Sequence, residues 1–248
     1  MKNFEITSEF KINVFGVKLF RIKCVKSFKN IKNIAEGDLG GWIEKDENLS
    51  GNAWVYGDAE VYGDAEVSGN AWVYGNAEVY GDAEVSGNAW VSGNARVSGN
   101  ARVSGDARVY GDARVSGDAE VSGNARVSGN ARVSGNAWVY SNAEVYGDAR
   151  VSGNAWVYGD AWDFSPFQAQ GSKHFVCVVA RGRLKIGCMD FEVKYWLENF
   201  EKIGQDNGYT QEQIAEYKLY IDIANIHFNI KTTTTVGDKK KSPKKENN

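Results

Sequence analysis

The residues able to do catalytic chemistry in this sequence are few, and they lie outside its repetitive centre. The 248-residue chain has two histidines, His174 and His227, near its C-terminal end. A histidine can act as a general base because its ordinary pKa lies close to neutral pH. No Ser-His-Asp set, group of metal ligands or phosphate-binding glycine loop accompanies either histidine in the sequence. We therefore expect no catalytic residue, no metal site and no cofactor.

Residues 51–164 offer chemistry of another kind, because they present regularly spaced side chains for binding. They are nineteen consecutive copies of the unit Gly-Asn/Asp-Ala-x-Val-Ser/Tyr, and only Ser141 departs from Gly at the first position. A short fixed period with a recurrent aliphatic residue is typical of a hexapeptide β-helix. Alternation sends Ala and Val inward and the x and Ser/Tyr positions outward, while Gly-Asn and Gly-Asp supply the bends.

The repeat resembles the hexapeptide motif of left-handed parallel β-helix proteins, the superfamily of the trimeric acyltransferases. The entry segment, residues 36–50, and C-terminal segments such as Ile186-Gly187-Cys188 resemble YdcK-like hexapeptide-repeat proteins of phages and prophages. The resemblance implies an all-β solenoid: a left-handed, triangular parallel β-helix with three hexads per coil, in which residues 18 apart stack. The hand is implied by the resemblance alone, since general chain physics favours right-handed crossovers.

This stacking predicts outward stripes of side chains on each face. The first stripe is aromatic at its N-terminal end, and with the neighbouring tyrosines it forms a candidate exposed patch for partner binding or assembly: Trp54, Tyr56, Trp72, Tyr74 and Trp90. The same stripe ends at Trp162. The second stripe contains a candidate anion-binding ladder: Arg96, Arg114, Arg132 and Arg150. A simpler interpretation also stands, in which stacked Trp rings clamp adjacent coils and the arginines keep the surface solvated.

The flanking segments predict two caps and a tail. Residues 1–42 form an N-terminal β cap with a hairpin around Phe15-Gly16, and residues 43–164 form the β-helix. Residues 165–231 form a small α+β cap with a hairpin and two helices, and the Lys-rich residues 232–248 are predicted to be disordered. Caps are required because a bare end coil would expose an open strand edge.

Composition excludes some functions and leaves others open. The net charge of −3 favours no particular class of partner, and the three cysteines are too sparse for a disulfide framework. No signal peptide or membrane-spanning stretch is visible, which predicts a cytoplasmic protein in a bacterial host cell, with no membrane contact. Glutamates beside the arginines make nucleic acid an unlikely partner.

The sequence favours a non-catalytic binding or assembly protein, encoded by a phage or prophage. Its rigid surface would bind a host or viral protein, or a further copy of itself, for instance in a trimer as in the superfamily it resembles. Two alternatives stay open: an acyltransferase-like enzyme, and a protein that binds polyanions or nucleic acid through the arginine ladder.

Overall fold

The structure is a computed structural model that describes residues 2–29, 33–159, 161–162 and 165–237, with the backbone alone for residues 161 and 227–237. The chain divides into two compact units, Met1–Pro166 and Phe167–Asn248. The first contains an N-terminal β region and the repeat. The second contains a small sheet and two helices.

The repeat folds into a β-solenoid of about six turns with three walls of parallel strands. Sheet I contains β6 (Trp54–Gly57), β9 (Trp72–Gly75), β12 (Trp90–Val91), β15 (Arg108–Val109), β18 (Arg126–Val127), β21 (Glu144–Val145) and β24 (Ala161–Trp162). Sheet II contains β7 (Glu60–Val61), β10 (Glu78–Val79), β13 (Arg96–Val97), β16 (Arg114–Val115), β19 (Arg132–Val133) and β22 (Arg150–Val151). Sheet III contains β8 (Glu66–Val67), β11 (Glu84–Val85), β14 (Arg102–Val103), β17 (Glu120–Val121), β20 (Trp138–Tyr140) and β23 (Trp156–Tyr158).

Except at the C-terminal end of sheet I, residues 18 apart are paired along the walls, as the repeat predicts. Glu78 pairs with Arg96, and the amides of the wall strands donate to carbonyls in the next coil, as from Trp72 N to Ala89 O at 2.9 Å. The Ala and Val positions are buried. The ladder begins before the perfect repeat, because Ile43 pairs with Val61 and Leu49 bridges to Val67. The predicted inward and outward positions are thus confirmed for an uninterrupted ladder that starts at Ile43.

The last coil departs from the predicted register. Val145 pairs with Trp162, and Glu144 pairs with Ala161, so the spacing there is 17 residues. A shift of one residue turns a side chain to the opposite face of a strand. Trp162 is therefore buried in the slot that Val fills elsewhere, and its predicted place at the end of the outward stripe is wrong. The indole fills the wall where the repeat ends.

The N-terminal β region extends the solenoid and partly covers it. It contains β1 (Phe4–Ile12), β2 (Lys18–Cys24), β3 (Phe28–Lys29), β4 (Asn33–Ile34), β5 (Leu39–Ile43) and a short 3-10 helix at Asp46–Asn48. The predicted hairpin is β1–β2, and it joins sheet II through antiparallel pairing of β2 with β5. The Asn13 side chain accepts from the amides of Phe15 and Val17 at 3.0 Å, which fixes the turn. Phe15 then lies 6.4 Å from the ring of Tyr62.

The second unit is a four-stranded antiparallel sheet followed by two helices. Its strands are β25 (Gln168–Gln170), β26 (Phe175–Ala180), β27 (Arg183–Ile186) and β28 (Met189–Glu192), and its helices are α1 (Val193–Asp206) and α2 (Gln211–Gly237). The sequence predicts only the central hairpin and the helices, because the short polar β25 looks like a linker. The predicted capping box is present, since Thr210 and Gln213 exchange backbone-to-side-chain hydrogen bonds. Helix α2 continues past Thr232, where the tail was predicted to begin, and residues 238–248 lie outside the described residues.

Glycine at the turns is required by both backbone conformation and space, which yields a stability prediction. Gly87 has φ 70°, and a Cβ there would lie 2.9 Å from the backbone N and O of Gly105. We expect Gly87→Ala to lower the free energy of unfolding by about 1–2 kcal/mol from the left-handed conformation, with the close contact adding to this. Urea unfolding followed by circular dichroism measures the change.

Ser141 provides a matched control of opposite sign, because it occupies the same turn position with φ 63°. Ser141→Gly is expected to raise stability by up to about 1 kcal/mol through relief of that strain. Equal stability of Gly87→Ala and the wild type would show that the turns tolerate a side chain.

Candidate interaction surfaces

Only some of the side chains in the predicted aromatic patch are exposed to solvent. Trp54 is 1 % exposed and Trp72 is 7 % exposed, whereas Tyr56 is 44 % exposed, and Tyr74 and Trp90 are half-buried. The prediction that these five residues form one exposed patch is therefore wrong. Period-two alternation correctly places the indoles on the outer face, but a second layer of chain can cover an outer face.

Aromatic contacts account for the burial of the first two tryptophans. The Phe28 ring of β3 meets Trp54 edge-on at 5.7 Å, so β3 covers the start of sheet I. Trp72 packs edge-on against Tyr74 at 5.9 Å. The sequence contained one signal of this arrangement, because the large aromatic residues occur in the coils that directly follow the aromatic-rich N-terminal segment. These residues join the N-terminal region to the solenoid.

Trp90 lies where the aromatic part of sheet I changes to the basic part. The Arg108 guanidinium lies 4.4 Å from the centre of the Trp90 ring, a cation–π contact between adjacent coils. The groove beside them is lined by Lys29, Asn88 and Asp106. Trp90 thus keeps a partly open edge while one face of its ring is covered by a cation.

The arginine ladder forms in sheet II with the predicted stacking, but its rungs differ in environment. Arg96 is neutralised by Glu78, with an N–O distance of 2.9 Å. Arg114 and Arg132 are exposed and pair with each other in the parallel register, and within the described residues neither forms an ion pair. Like charges placed opposite each other on adjacent strands destabilise the pair. The uncompensated positive charge is therefore concentrated at these two residues.

An acidic patch lies next to sheet II of the solenoid, and the sequence analysis did not identify it. It lies in the first coils, at the corner between sheets II and III, and consists of four exposed residues: Asp64, Glu66, Asp82 and Glu84. Lys45 lies 2.5 Å from Asp64, and this hydrogen bond lowers the pKa of Asp64. Arg102 lies 3.5 Å from Glu84. Elsewhere the corners carry amide ladders, such as Asn100 donating to Asp118 at 2.8 Å.

The histidines occupy structural positions in the second unit as far as the structure describes them. The His174 ring packs against Tyr209 at 5.9 Å, and its carbonyl accepts a hydrogen bond from the Tyr217 hydroxyl at 3.0 Å. His227 lies in α2, where the backbone alone is described. No three His, Cys, Asp or Glu residues of the described part are grouped so that they could hold a metal ion. No described helix is long and apolar enough to cross a membrane.

The sequence of the solenoid matches the model of one known protein family. Residues 41–156 match the family model of the bactofilins, described as polymer-forming and cytoskeletal. The match covers a little under half of the chain and coincides with the ladder of parallel strands. No curated protein matches the chain.

This match corrects the family and the function inferred from the repeat. The resemblance to YdcK-like, acyltransferase-type proteins is wrong, and with it the role of a phage-encoded binding protein directed at a host or viral partner. The physical reason is that Gly, Ala and Val positions are dictated by turn and wall packing. Solenoids of different families can share them. The bactofilin description is that of a polymer and not of an enzyme, so the prediction of a non-catalytic protein is confirmed and the acyltransferase alternative is removed.

Proposed function

We propose that this chain is a structural protein that self-associates into polymers through its β-solenoid. The observation that carries the proposal is the bactofilin match over residues 41–156, which spans the wall strands from β5 into β23. The solenoid suits this role because its coils are nearly identical, so it is a stiff rod that needs no ligand to order it. Of the partners that the sequence left open, we therefore propose further copies of the same chain.

Polymerisation is tested directly with the purified 248-residue chain. We expect filaments of uniform width in negative-stain electron microscopy, and a sedimenting fraction that rises with protein concentration and reverses on dilution. Reversal distinguishes polymers from aggregates. A single monomeric species at every concentration up to about 100 μM would contradict the proposal, because even weak contacts of micromolar affinity would be populated there.

The remaining finer assignments are proposals that follow from this role. We propose that the N-terminal β region is a cap, since β1 and β2 continue sheet II and shield its first edge. We propose a bacterial cytoplasmic location, supported by three cysteines that are not joined in disulfides within the described residues, Cys24, Cys177 and Cys188. Of the predicted aromatic patch, Tyr56, Tyr74 and Trp90 stay as candidate contacts between copies.

The hand of the solenoid is also a proposal. The left-handed assignment depended on the resemblance that the family match overturned. The general preference for right-handed crossovers between parallel strands then applies, and we propose a right-handed coil. A cryo-electron microscopy map of the filament showing left-handed coils would contradict this.

A further inference from the structure

Helix α2 has apolar residues on two opposite faces. The other side of the helix from its buried face is exposed: Leu219 is 63 % exposed, Ile223 is 45 % exposed and Ile226 is 55 % exposed. Each of these three residues, which we call the outer seam, lies two positions after a buried residue, about 200° around the helix. A helix that is apolar on all sides is normally buried on all sides, so the outer seam indicates a further partner. The buried face, which packs within the second unit, is formed by Ile214, Tyr217, Ile221 and Ala224.

The spacing of the outer seam is that of a coiled coil. Ile223 follows Leu219 by four positions, Ile226 follows Ile223 by three, and in the sequence an isoleucine follows four positions later, at 230. Alternating steps of four and three average 3.5 residues, which keeps one stripe facing a partner helix along its length. The surface that complements such a stripe is another stripe with the same spacing, and a second copy of α2 supplies one.

The length of α2 also favours a partner from outside the unit. Helix α1 has 14 residues and α2 has 27, so the two helices are about 21 Å and about 40 Å long. Because only residues 207–210 join them, α2 runs back along α1 and continues past its beginning. Helices in proteins gain most of their stability from packing, and α1 is too short to cover all of α2.

We propose that two copies of this chain associate through α2, which forms an antiparallel two-stranded coiled coil along the outer seam. This inference rests on the self-association proposed above and assigns it a contact in the second unit. Charge favours a second copy over a lipid surface, because residues 211–237 contain three carboxylates and two lysines. A helix that lies on an anionic membrane instead carries an excess of Lys and Arg beside its apolar face.

Glu216 decides the direction of the pair. It lies three positions before Leu219, so it occupies the preceding position of the same spacing. Its carboxylate accepts a hydrogen bond from the Ser172 amide at 2.9 Å, which holds the side chain in place. In a parallel pair Glu216 would face its own copy, and facing like charges oppose association.

An antiparallel pair keeps the layers of the seam free of facing charges. Ile223 lies opposite Ile226 of the other copy, and Leu219 lies opposite position 230, because both pairs have the same midpoint. Glu216 then lies opposite position 233, which is a threonine in the sequence. Leu219 and its own counterpart are 11 positions apart in height, or about 16 Å, whereas a parallel pair would place them side by side.

Disulfide cross-linking of the 248-residue chain tests this register. In a Cys188→Ser background, which removes the exposed native thiol, chains with Ile223→Cys and chains with Ile226→Cys are mixed and oxidised. Leu219→Cys alone is the control, because it brings two thiols together only in a parallel pair. We expect at least about tenfold more covalent dimer from the mixture, since a disulfide requires Cα atoms within about 7 Å. The opposite ratio would overturn the antiparallel arrangement, and equal yields would overturn the seam contact.

A charge in the outer seam tests its apolar character. Leu219→Lys, added to both chains of the mixture, is tolerated in a single copy because the position is exposed, but it would bury an ammonium group in the contact. We expect at least about tenfold less covalent dimer with an unchanged circular dichroism spectrum. Tyr195→Lys is the matched control, because Tyr195 belongs to α1 and is 46 % exposed, and it should leave the yield unchanged. An equal effect of the two lysines would show that the outer seam is not the contact.

The outcomes separate this contact from the proposed polymer. Filaments in electron microscopy without the cross-link of the mixed chains would overturn the coiled coil and leave the polymer proposal intact. The cross-link without filaments would support the coiled coil and refute the polymer proposal. Sedimentation of the chain with vesicles of phosphatidylcholine and phosphatidylglycerol, in place of the cross-link, would show that the outer seam binds lipid and would overturn the inference.

Discussion

Val97→Asp is expected to destroy the continuous solenoid. Val97 is fully buried in the middle of sheet II, between Val79 and Val115 in the parallel ladder. A carboxylate there would lose its hydration without gaining a partner, because the positions around it are alanines and valines. We expect a loss of at least about 4 kcal/mol in the free energy of unfolding, measured by urea unfolding and by the far-ultraviolet circular dichroism of the purified chain.

The matched control introduces the same charge one residue further on. Ser98 points outward from the same strand region and is half-buried. Ser98→Asp should cost no more than about 1 kcal/mol, since the carboxylate stays hydrated. If both variants unfolded alike, the assignment of inward and outward positions would be wrong, and if both were as stable as the wild type, the wall would be open to water.

Trp54→Ala is the second change with a large expected effect. Sequence alone places Trp54 on an exposed stripe, where its loss would affect only binding. In the structure its side chain is buried under Phe28, so truncation leaves a cavity between the N-terminal region and sheet I. We expect a loss of about 3–5 kcal/mol in stability, the usual cost of replacing a buried tryptophan with alanine. Thermal unfolding and protection of the N-terminal amides from hydrogen exchange measure it.

Trp138 is the control, because it fills the equivalent outward slot of sheet III and is 41 % exposed. It stacks on Trp156 with ring centres 4.9 Å apart. We expect Trp138→Ala to lower the free energy of unfolding by about 0.5–1.5 kcal/mol through loss of the stacking contact, in addition to the contribution of the apolar area that the ring buries. Similar losses for the two tryptophans would mean that the N-terminal region does not cover Trp54 in solution.

The solenoid itself was predictable from the sequence because its repeat constrains each position locally. Only a residue that tolerates positive φ can turn the corner, and only small or β-branched side chains fit the wall, so the inward positions follow from the unit. The 18-residue register then repeats along the chain. The exception at Trp162 shows the limit of that reasoning, since the last coil has no following coil to hold its register.

The surfaces were much less predictable, because they depend on which segments lie over the repeat. Whether Trp54 is exposed depends on Phe28, 26 positions earlier, and no local pattern states that contact. The family was missed for a related reason, since the residues that define the wall are those that any solenoid needs.

What the sequence by itself determined is the periodic part: the parallel ladder, its interior and the stacking of Arg114 on Arg132. These follow from local backbone and packing preferences that recur every six residues. Only the tertiary structure decided which outward side chains are covered, that Trp162 turns inward, and which charges of the walls are paired, as in Glu78 with Arg96. Those features arise from contacts between residues far apart in the chain, whose free energies depend on the folded arrangement and not on the identity of neighbouring residues.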